Sequence, residues 1–340
     1  MGRRGLTVLL GAVLVVLMAA GIAAAPVPYV VLGPGPTVDV LGSADGRDVI
    51  EVDNADTSDS AGQLRLTTVS VAPDIWLIDA IRGWFDDEDA VVPRELIYPP
   101  DRTEEEVDEQ NQRDLQMSQS AAEVAALRKL GYPVQVTVTE VLSGAPAEGK
   151  LEPGDVITSV DGTEVTSTSK LQELIRAKPA GTALTIGYRR DGRDATTSVT
   201  TQAANGAPRL GVAVENRQPN PYSFKIDPGN IGGPSAGLMF ALGILDKLDP
   251  DDLTGGMIIA GTGTIDDEGR VGPIGGVAQK LVGARRANAT VFLTPADNCA
   301  EAVANAQPGL KLVKVTTLDD ALAALRALRE GREPTLCSRQ

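Results

Sequence analysis

Ser235 stands in Asp227-Pro-Gly-Asn-Ile-Gly-Gly-Pro-Ser-Ala-Gly237, a glycine-rich turn that runs directly into the apolar stretch Leu238–Leu245. A hydroxyl at the start of a helix lies among unpaired backbone N–H groups and at the positive end of the helix dipole. A tetrahedral oxyanion formed there would be stabilised by both. The small or compact neighbours Gly232, Gly233, Pro234 and Ala236 leave room for a substrate backbone, so they form the candidate binding and oxyanion region. The competing reading is structural, because serine is a common helix N-cap.

A serine nucleophile needs a base, and the chain contains no histidine. Ser-His-Asp, Cys-His and histidine-metal chemistries are thereby excluded. Carboxylates and lysines remain, and a lysine serves only when burial among apolar groups keeps it neutral. Lys280 meets that condition best. It follows the Gly-Gly turn of Gly272-Pro-Ile-Gly-Gly-Val-Ala-Gln-Lys280-Leu-Val-Gly-Ala, with small and apolar residues on either side. Lys150, Lys170, Lys178 and Lys247 sit in polar or loop surroundings.

The elements that must position this pair belong to a folded chain of 340 residues, enough for two or three units. Hydrophobic residues make up 42% and aromatic residues 3%, so Val, Leu, Ile and Ala must fill the cores. A net charge of −15 excludes nucleic acid as a partner, since phosphate binding needs clustered Lys and Arg. Cys299 and Cys337 are too few for a zinc site or a disulfide framework, and whether they pair is left open. No metal or other cofactor is expected. The acidic turns Asp249–Asp252 and Asp266–Glu268 lack calcium-loop spacing.

Gly2-Arg3-Arg4 precedes the uncharged run Leu6–Ala25, 20 residues that would span about 30 Å as a helix. The arginines would leave that end in the cytoplasm and carry everything after Ala25 across. A cleaved signal peptide is the alternative, given Ala23-Ala24-Ala25. The length of the run and Pro26 after the cut favour an uncleaved anchor. Beyond it, Gln63–Val71 alternates as a strand, and Ile75–Phe85 and Gln112–Leu130 read as helices. The acidic runs Asp86–Asp89 and Glu104–Glu106 read as a solvated face or loop, and Leu318–Leu328 as an amphipathic helix.

Residues 130–204 form a module of their own. Strands Val134–Val141 and Val156–Val160, a short helix after Ser143-Gly-Ala-Pro-Ala147, a hairpin turn at Asp161-Gly162, a helix Ser167–Ala177 and a strand pair turned at Asp191-Gly192 follow in order. Gly144-Ala-Pro-Ala-Glu-Gly-Lys-Leu151 mimics a phosphate-binding loop, but Leu151 replaces its hydroxyl and Glu152-Pro-Gly154 forbids the helix that should follow.

The run "GAPA…LEPGDVITSVDGTEV" resembles a PDZ domain of bacterial secreted proteases. The resemblance implies capture of an extended peptide as an added strand, with a peptide loop near Leu130, Gly131 and Tyr132. "GGPSAG", followed 45 positions later by the lysine of "GPIGGVAQK", resembles the catalytic domain of the Lon family of Ser-Lys peptidases, and Ile259–Gly269 matches a third segment. Together with an anchor and a PDZ module, the pattern is similar to small membrane-anchored Lon-like proteases. It implies an α+β fold: an N-terminal transmembrane helix (1–25), a tether and first part of the Lon-type domain (26–129), an inserted PDZ domain (130–204) and the remaining proteolytic domain (205–340).

By the same resemblance Ser235 is the nucleophile, Lys280 the base and Thr262 the hydroxyl that orients the lysine. Gly232 departs from the family, many of whose ATP-dependent members carry an acid three residues before the serine. No ATPase segment is present in the sequence, so an ATP-independent serine endopeptidase at the cell membrane is expected, acting on exported proteins or peptides outside the cytoplasm. Rings, common in the family, and monomers both stay open. The alternative is a catalytically silent PDZ scaffold.

Overall fold

The computed structural model describes residues 3–23, 25–44, 46–204 and 206–338, with only the backbone of 3–7, 19 and 20. The chain divides into two compact units, one made of 1–126 with 222–340 and the other of 127–221. The second is therefore an insertion in the sequence of the first.

The first unit opens with helix α1 (Arg3–Ala23). Its apolar side chains from Val8 to Met18, and Ile22, are exposed. Among the described residues no helix is long and apolar enough to cross a membrane. The expected span Leu6–Ala25 includes the side chains of 6, 7, 19 and 20 and all of residue 24, which lie outside the described residues. Strands β1 (Tyr29–Asp39) and β2 (Gln63–Ala72) pair antiparallel, helix α2 (Leu77–Trp84) follows, and β3 (Ala90–Pro93) pairs with the other side of β1.

Helix α3 (Glu104–Lys129) begins eight residues before the expected Gln112. The reason is a reciprocal cap: Thr103 Oγ1 accepts from Glu106 N at 3.2 Å, and Glu106 Oε2 accepts from Thr103 N at 2.8 Å. Glu104–Glu106 are thus the exposed first turn of a helix, a solvated face whose carboxylates complement the dipole.

The inserted unit contains β4 (Gln135–Val141), β5 (Val156–Val160), helix α4 (Thr168–Arg176), β6 (Ala183–Arg190), β7 (Arg193–Thr200) and β8 (Val212–Arg217). They pair antiparallel in the order β7-β6-β5-β4-β8. Both expected hairpin turns form, with Asp161-Gly162 and Asp191-Gly192 at positive φ. Ser167 caps α4 by accepting from Lys170 N at 3.1 Å. Two readings change. The segment after Ser143 forms turns rather than a short helix, and the unit continues past residue 204 because β8 completes the sheet beside β4.

The first unit resumes with helix α5 (Gly237–Leu248), β9 (Ile258–Gly261), helix α6 (Val277–Arg286), β10 (Val291–Pro295), helix α7 (Cys299–Ala304), β11 (Lys311–Val315) and helix α8 (Leu318–Arg329). Its sheet runs β11-β10-β9-β2-β1-β3, with β2, β9, β10 and β11 parallel. Helix α5 is buried from Gly237 to Lys247, as expected of a helix apolar on all faces. Phe240 and Phe292, two of the four phenylalanines, are fully buried, and aliphatic residues fill the remaining core.

Cys299 at the start of α7 and Cys337 after α8 form a disulfide across 38 positions. Cys337 N also donates to Leu312 O at 2.9 Å, which lays this segment along β11. Closing a loop of that length removes unfolded-state entropy equivalent to about 4 kcal/mol. The double variant Cys299→Ser/Cys337→Ser should therefore melt on the order of 10 °C lower, and reductant should lower the melting of the parent alone. Equal melting of parent and variant under oxidising conditions would show that the bridge adds no stability.

Candidate active site

Ser235 is not the cap of α5. That place belongs to Ala236, which makes no side-chain cap bond, and the serine lies one residue earlier with its side chain turned elsewhere. The turn that carries it is tied on two sides. From α3, Asn111 O accepts from Gly233 N at 2.8 Å, Ser118 Oγ donates to Pro234 O at 2.9 Å, and Gln112 Nε2 donates to Ile231 O at 3.0 Å. From the end of β9, Gly263 N and Thr262 Oγ1 donate to Ser235 O at 2.8 and 3.1 Å, while Gly263 O accepts from Leu238 N at 3.1 Å.

Two glycines are required by this packing. A Cβ on Gly263, whose φ is +150°, would fall 2.7 Å from Val271 Cγ1. A Cβ on Gly232 would fall 2.9 Å from Asn111 Cβ. The space that a side chain would need three residues before the serine is therefore filled by α3, which accounts for the glycine at this position. The contributions of Asn111, Gln112 and Ser118 could not be read from the sequence, because more than 100 residues separate them from the turn they hold.

Lys280 reaches the serine from α6. Its neighbours at the same face, Val277, Leu281 and Ala284, share a buried cluster with Ala260 and Phe292, so the helical repeat carries the lysine inward with them. The residue is 3% exposed. Its Nζ donates to Ser235 Oγ at 2.8 Å and to Thr262 Oγ1 at 3.0 Å. Burial lowers its pKa to about 8. Lys247 is a useful contrast: it too is buried, but its partner is a carboxylate, Asp48 at 3.1 Å.

Ser235, Lys280 and Thr262 are thus brought together, and Gly232, Gly233, Pro234 and Ala236 line the turn around the serine. Such an arrangement can transfer a proton from the hydroxyl to a neutral amine and so generate an alkoxide next to the amides that begin a helix.

The residues of the expected peptide loop lie at a helix end. Leu130, Gly131 and Tyr132 end α3: Tyr132 N donates to Leu127 O at 2.9 Å and Gly131 N to Arg128 O at 3.1 Å, with Gly131 at φ +90°. This is a helix stop of the Schellman type. The inserted unit instead has a cavity of about 180 Å³ between α4 and the edge strand β8, lined by Leu171, Ile175, Arg176, Arg209, Leu210 and Val212 among others. An unpaired strand edge beside a groove is what peptide capture by strand addition requires. The sequence signal was Leu210-Gly211-Val212, an apolar-Gly-apolar step into an alternating strand, which fell beyond the expected boundary of the module.

Gly144–Lys150 forms turns with no helix after them, and Leu151 is buried in the core of the inserted unit, so no phosphate loop exists there. The acidic turns are used internally. Asp252 accepts from Thr254 and Gly255, and Asp266 pairs with Arg270 at 2.7 Å. Among the described residues no group of three or more His, Cys, Asp or Glu could hold a metal ion.

Comparison with known proteins meets this geometry at both units. Residues 107–201 match the PDZ domain, and residues 228–327 match the Lon protease (S16) C-terminal proteolytic domain. Lon protease 1 of Sorangium cellulosum is 36% identical over 131 residues, which cover 37% of this chain and 16% of that protein. The Lon protease of Azospirillum brasilense is 40% identical over 112 residues, covering 30% of this chain and 13% of that protein. The chain thus spans less than a fifth of the length of these relatives. The crystal structure of the PDZ domain of an SdrC-like protein of Listeria monocytogenes is 27% identical, covers 23% of this chain and 85% of that one, and has a TM-score of 0.23. The chain therefore joins a PDZ domain to a Lon-type C-terminal proteolytic domain, with Lon proteases among its homologues.

Proposed function

We propose that the protein is an ATP-independent serine endopeptidase that uses Ser235 and Lys280 as a dyad. The observation that carries this reading is the 2.8 Å contact between Ser235 Oγ and a lysine amine buried at 3% exposure. Neutral Lys280 takes the hydroxyl proton as Ser235 Oγ bonds to the substrate carbonyl carbon. The resulting ammonium then protonates the leaving amine, and an ester to the serine remains. Water enters by the same base and frees the second product. Thr262 holds the amine in line and anchors the serine backbone at once.

The groove beside β8 is proposed to select or present extended, flexible substrate by strand addition. Helix α1 is proposed to tether the protein to the cell membrane with the remainder outside the cytoplasm. The exposed apolar side chains of α1 support the tether. The Cys299–Cys337 disulfide supports the compartment, since such bonds persist in oxidising surroundings.

The test uses the full chain in mild detergent with casein and no ATP. Ser235→Ala and Lys280→Ala should each reduce cleavage by at least 10³-fold, and the double variant should lose little more, because the two groups act as a unit. Cleavage that survives Ser235→Ala would overturn the mechanism, and a parent that binds peptide but never cleaves would favour the scaffold.

The pH dependence follows from the same base. Activity requires the neutral amine, so kcat/KM should rise about tenfold per pH unit below pH 8 and level off above it, as a base with a pKa of about 8 dictates. A profile flat from pH 6 to 9 would remove Lys280 from the role of base.

Stability should rise with pH as activity does, but over a higher window. Lys280 is held below its ordinary value of 10.5, so between about pH 8 and 10.5 the unfolded chain binds a proton that the native one does not. Stability therefore rises with pH across that window, and below it the native state carries the full penalty, on the order of 3 kcal/mol. Lys280→Met should be inactive yet melt higher than the parent at pH 7, with the gap closing above pH 10.5. Lower melting at pH 7 would show that the buried amine costs the fold nothing.

A further inference from the structure

Helix α2 presents an outward face of large apolar side chains. Trp76, Ile78, Ile81, Trp84 and Phe85 are 51%, 37%, 37%, 56% and 87% exposed. Positions 78, 81, 84 and 85 follow the helical repeat and lie on one side. The other side is fixed, with Ala80 and Gly83 buried. A Cβ on Gly83 would fall 2.8 Å from Val91 Cγ2, so α2 sits close on β3. Tyr29 packs edge-on against Trp84 with ring centroids 6.0 Å apart. The face is thus rigidly displayed.

It is also tied to the apolar helix. Ala25 O accepts from Leu77 N at 2.9 Å, Ile75 O accepts from Val27 N at 3.3 Å, and Pro26 bridges to Trp76. Ala25 follows the last residue of α1 by two positions, a reach of about 7 Å at most. The interfacial layer on each side of a bilayer is roughly 5–8 Å deep. With α1 in the membrane, as proposed above and as this placement requires, the start of α2 cannot leave that layer.

We infer that α2 is a second membrane contact, lying in the lipid interface with Trp76, Ile81, Trp84 and Phe85 inserted among head groups and upper acyl chains. Indole rings favour that layer because they are apolar with one polar N–H. The backbone ties that hold the start of α2 to Ala25–Val27, just after the apolar α1, select a lipid surface as the occupant of this face. Charge does not drive the contact. Asp86, Asp87, Glu88 and Asp89 follow directly and oppose anionic lipid, so attraction comes from apolar burial and does not depend on salt.

The two tryptophans of the chain are Trp84 on this face and Trp76 at the exposed N-terminal end of α2, so intrinsic fluorescence reports on α2 alone. The full chain is reconstituted into phosphatidylcholine vesicles and recovered by flotation. Emission should shift to the blue and fall at least twofold with lipids brominated near the head group, less with bromines near the bilayer centre, and equally at low and high salt. Ile81→Glu/Phe85→Glu should abolish the quenching while leaving casein cleavage in detergent unchanged. Flotation with unshifted, unquenched emission would overturn the contact and leave the anchor standing. Absence of flotation would overturn both. A blue shift without lipid, together with a doubled mass in sedimentation, would assign the face to a second copy instead.

Discussion

An ammonium group withdrawn from water loses solvation that two hydroxyl oxygens return only in part, and Lys280 is held in that condition by its position on a helix. Val277, Leu281 and Ala284 must face the sheet for α6 to bury its apolar stripe, and the lysine shares their side. The rest of the site follows from this constraint. The amine finds hydroxyl oxygens and not carboxylates, and burial alone moves its pKa, toward the neutral form. A carboxylate at the same distance would favour the charged amine.

Meeting that amine places equal demands on the serine side. Helix α5 is buried on every face, so its start cannot rotate to suit the lysine, and the preceding turn must be bent to it. Gly263 and Thr262 hold the serine carbonyl from within, and α3 holds the flanking residues from outside. Thr262 joins the two halves, since one hydroxyl accepts from the lysine and donates to the serine backbone. Glycine at 232 and 263 is then a packing result, and each accommodates a neighbour that a side chain would displace.

What the sequence made legible were features with local causes. A hydroxyl after paired glycines, a lysine within an apolar helical stripe, alternating strands and Asp-Gly hairpins each express a short-range rule, and each lies where expected. The features that escaped depend on pairing across the fold. The edge strand β8 was lost with the boundary at 204, because nothing local tells that Val212–Arg217 pairs with β4, and the groove beside it was lost too. The helix stop at Gly131 was legible, by contrast, from the end of the apolar pattern at Leu130, and the bonds back to Leu127 and Arg128 close it. The early start of α3 escaped for a different reason: Glu104–Glu106 are solvated in a helix as in a loop, and the cap at Thr103 makes them a first turn.

The disulfide has a mechanical meaning as well as a thermodynamic one. Leu336 and Val313 bridge at the edge of the first unit's sheet, an attachment that could be peeled one hydrogen bond at a time. With Cys337 bound to Cys299, a pull on that segment is carried past β11 to the start of α7 and loads packed side chains together. The same pull on the reduced chain would unzip the edge sequentially. Resistance to force at this edge is thereby set by the thiol chemistry of the surroundings, without a change in any non-covalent contact of the fold.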